Sequence, residues 1–303
     1  MTPKDLLLAV FIIVVWGVNF VVIAWGLEGM PPLLMGGLRF LLVAAVGSLF
    51  FKRPNTPIRW WFAYAIPISF LQFAFLFSAL AFGMPAGLAS LVLQSQALFT
   101  LIFASFLLHE NIKSHQILAL IIAALGLSLI AISQDNQNMT VIGFALTLAG
   151  AAGWALGNIS ARKISQKGYT SNVNLVIWSA WIPPIPFFIF SYFFEGPEVI
   201  YQTLTNFSMQ SWWALVYLAA VATIMGYGLW GYLLGRYPAA QIAPLTLGVP
   251  LVGLTAASVL LSEEITTPQW LGITLVLLGL LTNIFGLKLK NLLNSKRKIV
   301  KEN

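Results

Sequence analysis

Long apolar runs separated by short polar connections dominate this chain. Each run has about 18 to 24 residues, which as an α-helix is enough to cross a hydrocarbon core of about 30 Å. Ten such runs follow one another, at residues 6–27, 32–51, 60–82, 85–108, 115–133, 140–161, 172–194, 212–234, 238–261 and 268–287. The pattern therefore predicts an all-α integral membrane protein with ten transmembrane helices.

The composition agrees with this fold class and narrows the function. Only 8% of the 303 residues are charged, whereas soluble domains have about 25%. The chain contains no cysteine, which excludes disulfides, catalytic thiols and thiolate metal sites. HENIKSH at 109–115 does not match the H-E-x-x-H zinc motif. The sequence shows neither a nucleophile paired with a base nor a cluster of metal ligands. We therefore predict that the protein has no catalytic residue, no cofactor and no metal, and that it is not an enzyme.

Positive charges lie on one side of the ten-helix arrangement. Fifteen of the 16 Lys and Arg residues fall in connections or termini on the same side. The connections on the other side contain the acidic residues Glu28, Asp135, Glu195, Glu198, Glu263 and Glu264. By the positive-inside rule both termini are predicted to be cytoplasmic. The basic tail at 288–303 is expected to fix this orientation and to contact anionic membrane lipid, not nucleic acid.

The chain contains an internal duplication. When the sequence is shifted by 153 residues, 85–127 lies without gaps on 238–280, and 15 of 43 positions are identical. The identical pairs include Pro85 with Pro238, Glu110 with Glu263, Gln116 with Gln269, and Gly126 with Gly279. Each half has five helices, an odd number, so the second half is inverted, which is typical of secondary transporters. We predict a first repeat at 1–134 and an inverted second repeat at 140–287.

Two aromatic and amide pairs inside the membrane indicate where a site lies. Asn19 follows Trp16 by three residues in the first helix, and Asn158 follows Trp154 by four in the sixth. Both spacings place the ring and the amide on one helical face. We expect the pairs to line a cavity; the alternative is that each Asn only hydrogen-bonds a neighbouring helix. The other polar side chains at similar depth are Gln72, Gln94, Gln96, Tyr227 and Thr246.

Features of the fourth and ninth helices affect what they present to this cavity. Gln94 and Gln96 are two residues apart, so we expect one to line the cavity and the other to bind a neighbouring helix. Pro244 and Pro250 interrupt the ninth helix and free backbone carbonyls near Thr246. Such carbonyls either meet substrate or water, or belong to a plain kink satisfied by packing.

Arg39 is the single Lys or Arg inside a predicted helix. A guanidinium at this depth must pair, face water or snorkel, and the direction of its helix lets it reach outward. Two roles are open: it anchors a substrate carboxylate, or it donates to loop and helix-end carbonyls. No Asp, Glu or His lies in the middle third of a predicted helix, so no proton carrier is expected there. A small zwitterion or neutral metabolite fits this charge pattern.

The last helix of each half carries small residues at every seventh position. The two series are Ala119, Gly126 and Ser133, and Gly272, Gly279 and Gly286. Small residues allow close approach of helix backbones. The stripe therefore indicates a packing seam, either within one chain or between two, so a homodimer is one of the two interpretations.

The whole chain resembles the EamA group of the drug/metabolite transporter superfamily. The resemblance is carried by VVWGVNFVV at 14–22, ISFLQFAFLF at 68–77, FGMPAGLASLVLQSQ at 82–96, LVIWSAWIP at 175–183 and ATIMGYGLWGYLLGRY at 222–237. These runs look most like bacterial members that export cysteine-pathway metabolites such as O-acetylserine and cysteine. The resemblance implies two EamA repeats in the bacterial inner membrane and export of small amino acids or related metabolites. Other members export threonine and homoserine, or aromatic amino acids.

The resemblance also implies which side chains line the substrate path. They are Trp16, Asn19, Gln72, Gln94, Trp154, Asn158, Trp178 and Tyr227. Arg39 joins them as the candidate partner of a substrate carboxylate. The predicted function is alternating-access export, and the alternative from a different class is a membrane scaffold that transports nothing.

Overall fold

The computed structural model describes residues 1–133, 139–169 and 172–302, without the side chains of 239, 240, 243 and 288–302. Within these residues the regular structure is helical, with no β-strand. The helices are α1 (Pro3–Leu27), α2 (Pro32–Phe50), α3 (Ile58–Ala81), α4 (Ala86–Leu108), α5 (Ser114–Ile132), α6 (Val141–Gln166), α7 (Val173–Ser179), α8 (Pro184–Phe194), α9 (Pro197–Thr205), α10 (Met209–Arg236), α11 (Ala239–Ile242), α12 (Gly248–Leu260) and α13 (Thr267–Glu302).

The predicted count of ten membrane-spanning helices is not confirmed in this form. Among the described residues, eight helices are long and apolar enough to cross a membrane, and α7 with α8 makes a ninth if this bent pair is one span. The pair bends by 43°, because Pro183 and Pro184 remove backbone donors and restrict the residues before them. The predicted span at 238–261 is divided into α11, a 3₁₀ turn at Ala243–Leu247, and α12.

Corresponding positions in the two halves have the same local geometry. The Gln116 side-chain oxygen accepts a hydrogen bond from the backbone N–H of Lys113 at 2.9 Å, and the Gln269 oxygen accepts one from Thr266 at 3.0 Å. Both bonds cap the start of a helix, and both pairs are related by the 153-residue shift. The same shift relates two residues whose backbone φ is 55°, His109 and Ser262. The duplicated positions therefore also share local structure.

The small-residue stripe packs α5 against α13. These helices belong to a compact unit formed by residues Leu101–Ser133 and Ile265–Asn303. A Cβ atom added to Gly126 would lie 2.7 Å from the Gly272 carbonyl oxygen, and one added to Gly279 would lie 2.9 Å from that of Ala119. Only glycine fits at such a separation. Of the two interpretations of the stripe, packing within one chain is therefore observed, and the homodimer stays a prediction.

The other compact unit comprises Met1–Thr100 and Gln134–Glu264, and two carboxylates cap helices within it. Glu195 accepts hydrogen bonds from the backbone N–H groups of Leu33 at 2.6 Å and Leu34 at 3.0 Å, at the start of α2. Glu263 binds the N–H groups of Ala86 at 2.6 Å and Gly87 at 2.9 Å, at the start of α4. A carboxylate at a helix N-terminus pairs donors that have no partner within the helix and interacts favourably with the helix dipole. Both acids come from connections that the charge pattern placed on the same side of the membrane.

Replacing Glu263 by alanine is expected to lower the stability of the folded protein by about 1 kcal/mol, the typical effect of losing a helix cap. Burial raises the pKa of Glu263, while the backbone N–H groups of Gly87 and Ala86 act in the opposite direction. The neighbouring Glu264 is exposed and provides the matched control, Glu264→Ala. The measurement is thermal unfolding in detergent. Equal unfolding temperatures for the two variants would contradict a capping role.

Two sequence predictions fall outside the described residues. Asp135 lies at 134–138, and the side chains of the basic tail lie within 288–303.

Candidate functional site

A cavity of about 390 Å³ lies inside the larger compact unit. Its walls come from α1, α2, α3, α4, α6, α10, the 3₁₀ turn at Ala243–Leu247 and α12. The volume is near the lower end of the range for small-molecule sites, about 300 to 1,000 Å³. The cavity therefore has room for a metabolite of amino-acid size.

Eight of the nine predicted site residues line this one cavity, although they lie on six different helices. They are Trp16, Asn19, Arg39, Gln72, Gln94, Trp154, Asn158 and Tyr227. Among the described residues of the lining, Arg39 carries the only formal charge. The site thus combines amides and aromatic rings with one cation.

Trp178 is the exception, because it does not belong to the lining of this cavity. Its indole Nε1 donates to the Phe51 carbonyl at 2.8 Å, and its ring centre lies 6.2 Å from that of Trp61. It packs against a hydrophobic cluster that includes Leu175 and Ile182. The helix α7 that carries it has only seven residues before the proline bend, and its buried face adjoins this cluster. Trp178 is therefore a packing residue outside the cavity.

One wall of the cavity is aromatic and is built around Trp16. The Trp16 ring centre lies 5.4 Å from that of Tyr227 and 5.4 Å from that of Trp230. Its Nε1 donates to the Ala222 carbonyl at 3.0 Å. Ala222 belongs to a π-helical stretch of α10, Tyr217–Met225, and such stretches occur often at functional sites. A Cβ atom at Gly226 would lie 2.7 Å from Trp16 Nε1, so the indole fits only because this residue is glycine.

The amide side chains form a second wall. Asn158 Nδ2 donates to Gln96 Oε1 at 2.8 Å and to Thr100 Oγ1 at 3.3 Å. Gln94 Nε2 donates to the carbonyl of Thr246 at 3.2 Å, so a side chain of the protein uses the carbonyl that the interrupted ninth helix frees. Asn158 therefore combines both roles considered for it, lining the cavity and bonding a neighbouring helix.

Gln94 and Gln96 both belong to the lining of the cavity, and both also hydrogen-bond a neighbouring segment, so the two roles that were predicted for them separately occur together. The helix α4 is wound as a 3₁₀ turn over Leu93–Ser95. The argument from one ideal helical face does not hold where the helix is irregular.

Arg39 is buried, with 3% of its surface exposed. Its Nη2 donates to Thr223 Oγ1 at 3.0 Å, and its guanidinium carbon lies 4.1 Å from the centre of the Phe73 ring. Its Nε and Nη1 have no hydrogen-bond partner within the described part of the chain. The expected outward reach to loop and helix-end carbonyls is therefore corrected: a threonine hydroxyl and an aromatic ring hold the guanidinium beside the cavity.

The sequence analysis missed three lining residues that have polar side-chain atoms, although the spacing of two of them offered a signal. Trp230 lies three residues after Tyr227, and Ser90 lies four residues before Gln94, so each shares a helical face with a predicted residue. Tyr64 is separated from Gln72 by the π-helical stretch Ile66–Leu71. Its wider turn rotates the side chains beyond it around the helix axis, so regular helical spacing does not relate these two residues. The described residues include no group of three or more His, Asp or Glu that could hold a metal ion.

Comparison with known proteins places these features in a family. The model of the EamA-like transporter family matches residues 4–132 and again 141–285. A probable amino-acid metabolite efflux pump of Escherichia coli K12 is 49% identical over 290 residues, which cover 95% of this chain and 97% of the relative. A pump of the same description from Salmonella typhimurium LT2 is 49% identical, with coverage of 96% and 98%. A solved crystal structure aligns with a TM-score of 0.63 at 17% identity, covering 96% of this chain and 99% of its own.

Proposed function

The chain belongs to the EamA-like transporter family, and on that premise we propose that it exports amino acids or related metabolites by alternating access. It is a multi-pass membrane protein and a transporter, not an enzyme. The observation that carries the proposal is the convergence of polar and aromatic side chains from both halves on one cavity in the middle of apolar helices. The 49% identical relatives described as amino-acid metabolite efflux pumps support it.

The proposed substrates are small zwitterions, with O-acetylserine and cysteine as the first candidates. The cavity volume of about 390 Å³ and the single cation in its described lining support a small molecule over a phosphorylated one. A doubly negative phosphate ester needs several cationic partners to offset its desolvation. The aromatic wall around Trp16 is a reason to test aromatic amino acids next, and threonine and homoserine with them.

The proposed topology has both termini in the cytoplasm and the chain in the bacterial inner membrane. The one-sided distribution of Lys and Arg supports this orientation, and the basic tail then meets anionic lipid. In this topology the bent pair α7 and α8 forms one transmembrane helix, and α11 to α12 forms another that is interrupted. Each repeat then has five helices, and the second is inverted with respect to the first.

The deciding experiment is counterflow in liposomes that contain the purified protein. Vesicles are loaded with one unlabelled amino acid, and uptake of the labelled form is followed for O-acetylserine, cysteine, threonine, homoserine and the aromatic amino acids. We expect saturable counterflow for one chemical class of this panel. Lack of counterflow for every member, from protein that remains folded, would reject amino-acid transport and favour the scaffold alternative.

A further inference from the structure

In the part of the chain that the structure describes, three buried side chains around the cavity contain polar atoms without hydrogen-bond partners. Besides Nε and Nη1 of Arg39, the side-chain oxygens Asn19 Oδ1 and Gln72 Oε1 have no hydrogen-bond partner within the described residues. The three side chains are 3%, 8% and 3% exposed, in the order Arg39, Asn19 and Gln72. Buried polar atoms without partners cost free energy and are uncommon in folded proteins. They therefore need an account.

The atoms fall into two chemical groups. Arg39 contributes only donors and a fixed positive charge, whereas the oxygens of Asn19 and Gln72 are acceptors. A single amino-acid backbone supplies the complement of both groups: a carboxylate with acceptors and a negative charge, and an ammonium with three donors. Water or a neutral solute satisfies the acceptors but leaves the buried charge without a counter-ion. The zwitterion therefore complements the set better than the other solutes that fit the cavity.

Neighbouring groups position the Arg39 guanidinium and the backbone of Gln72 before substrate enters. Thr223 and the Phe73 ring orient the guanidinium. Backbone atoms of Gln72 lie against α6, because a Cβ added to Gly153 would meet the Gln72 nitrogen at 3.0 Å. Asn19 is three residues from Trp16, whose ring is fixed by its bond to Ala222. A site held in this way loses little conformational entropy on binding.

We infer that Arg39 binds the carboxylate of the substrate, and that the side-chain oxygens of Asn19 and Gln72 accept its ammonium group. This assignment rests on the proposed function and specifies how that same cavity recognises an amino acid. The variable side chain of the substrate then faces the remaining lining, which includes Trp16 and Asn158. Recognition of the head group alone would admit amino acids that differ in their side chains.

The test compares cysteine with two analogues that each lack one charged group. Cysteamine lacks the carboxylate and 3-mercaptopropionate lacks the ammonium; the protein has no cysteine with which these thiols could react. Under reducing conditions, each compound competes with counterflow of labelled cysteine. We expect both analogues to inhibit the wild-type protein at concentrations at least about tenfold higher than cysteine, since hydrogen bonds to charged groups are strong. If another amino acid is transported, its own amine and acid analogues replace these two.

Two ratios measure this discrimination: the inhibitory concentration of cysteamine relative to that of cysteine, and that of 3-mercaptopropionate relative to that of cysteine. Each variant of the site is expected to change one ratio and not the other. In Arg39→Gln, cysteine and cysteamine are expected to inhibit within about twofold of each other, whereas 3-mercaptopropionate remains weaker. In the double variant Asn19→Leu/Gln72→Met, discrimination against 3-mercaptopropionate is lost instead. Arg59→Gln changes an exposed arginine and is expected to keep both wild-type ratios. For variants that transport slowly, protection from thermal unfolding by the same compounds gives the ratios.

Two results overturn the assignment. One is a wild-type protein that transports cysteine but binds cysteamine equally well; the other is a folded Arg39→Gln variant that retains the wild-type ratio. A purely structural role for Arg39 predicts the second result, because it lowers stability without altering discrimination. Both leave amino-acid transport intact, whereas the lack of counterflow for any amino acid rejects the proposed function itself.

Discussion

Alanine at both Asn19 and Asn158 is expected to reduce transport at low substrate concentration about a hundredfold, and alanine at either position alone about tenfold. One hydrogen bond to a charged or polar partner is worth about 1.4 kcal/mol in this range, which is tenfold in rate. Within the described residues the side-chain oxygen of Asn19 has no hydrogen-bond partner, whereas Asn158 donates to Gln96 Oε1 at 2.8 Å. The two amides thus belong to no common hydrogen-bond network there.

Because the two amides share no hydrogen-bond network in the described part of the chain, the two free-energy losses are expected to add. Mutations at independent sites are usually additive to within about 0.5 kcal/mol, whereas members of one network are not. The measurement is the initial rate of counterflow, corrected for the amount of protein in the vesicles. Asn206→Ala, at an exposed position, serves as the control. If the double variant transported at the wild-type rate at equal protein level, neither amide would be part of the substrate site.

The repeat was predictable in part because some of the duplicated residues stabilise the segment of chain in which they lie. Gln116 and Gln269 each cap the start of their own helix by accepting a hydrogen bond from a backbone N–H only three residues away. Such local roles are visible in the sequence. The approximate positions of the long helices are visible for a similar reason, since the length of an apolar run sets whether it can cross a bilayer.

The irregular helices could not be predicted, because tertiary contacts stabilise them. The π-helical stretches Ile66–Leu71 and Tyr217–Met225 occupy corresponding places in the two halves, and both border the cavity through Ile68 and Ala222. The sequence of a uniformly apolar helix is the same type of pattern whether or not the helix contains a π-helical turn. The carbonyl of Ala222 is bound by Trp16, more than 200 residues away in the chain, and no local signal indicates that contact.

The polar lining of the cavity was largely predictable from polar residues within apolar helices. Asn19 and Asn158 were found because an amide in hydrocarbon needs a partner or a cavity. Trp178 was misplaced because tryptophan is stable both in a cavity wall and in a packed cluster, and its residue type does not distinguish the two. The depth of Arg39 followed from the sequence, but the direction of its side chain depended on Thr223 in the other half.

Leucine at Gly126 is expected to prevent accumulation of folded protein, and alanine to lower its stability by about 1 to 3 kcal/mol. A Cβ atom at Gly126 would lie 2.7 Å from the Gly272 oxygen and 2.8 Å from the Val276 nitrogen. These are backbone atoms, so α5 and α13 must separate along the seam to admit even one methyl group. Gly235 is the matched control, because no described atom lies within 4 Å of its added Cβ.

The two alanine variants are expected to change stability in opposite directions. Alanine is favoured over glycine in a helix by about 1 kcal/mol, so Gly235→Ala should be neutral or slightly stabilising. The same gain is present in Gly126→Ala, but the steric clash with backbone atoms of α13 exceeds it. Thermal unfolding and size-exclusion profiles in detergent measure both. If Gly126→Ala unfolds at the same temperature as Gly235→Ala, the seam does not require the close contact, and α5 and α13 are held together by their larger apolar side chains instead.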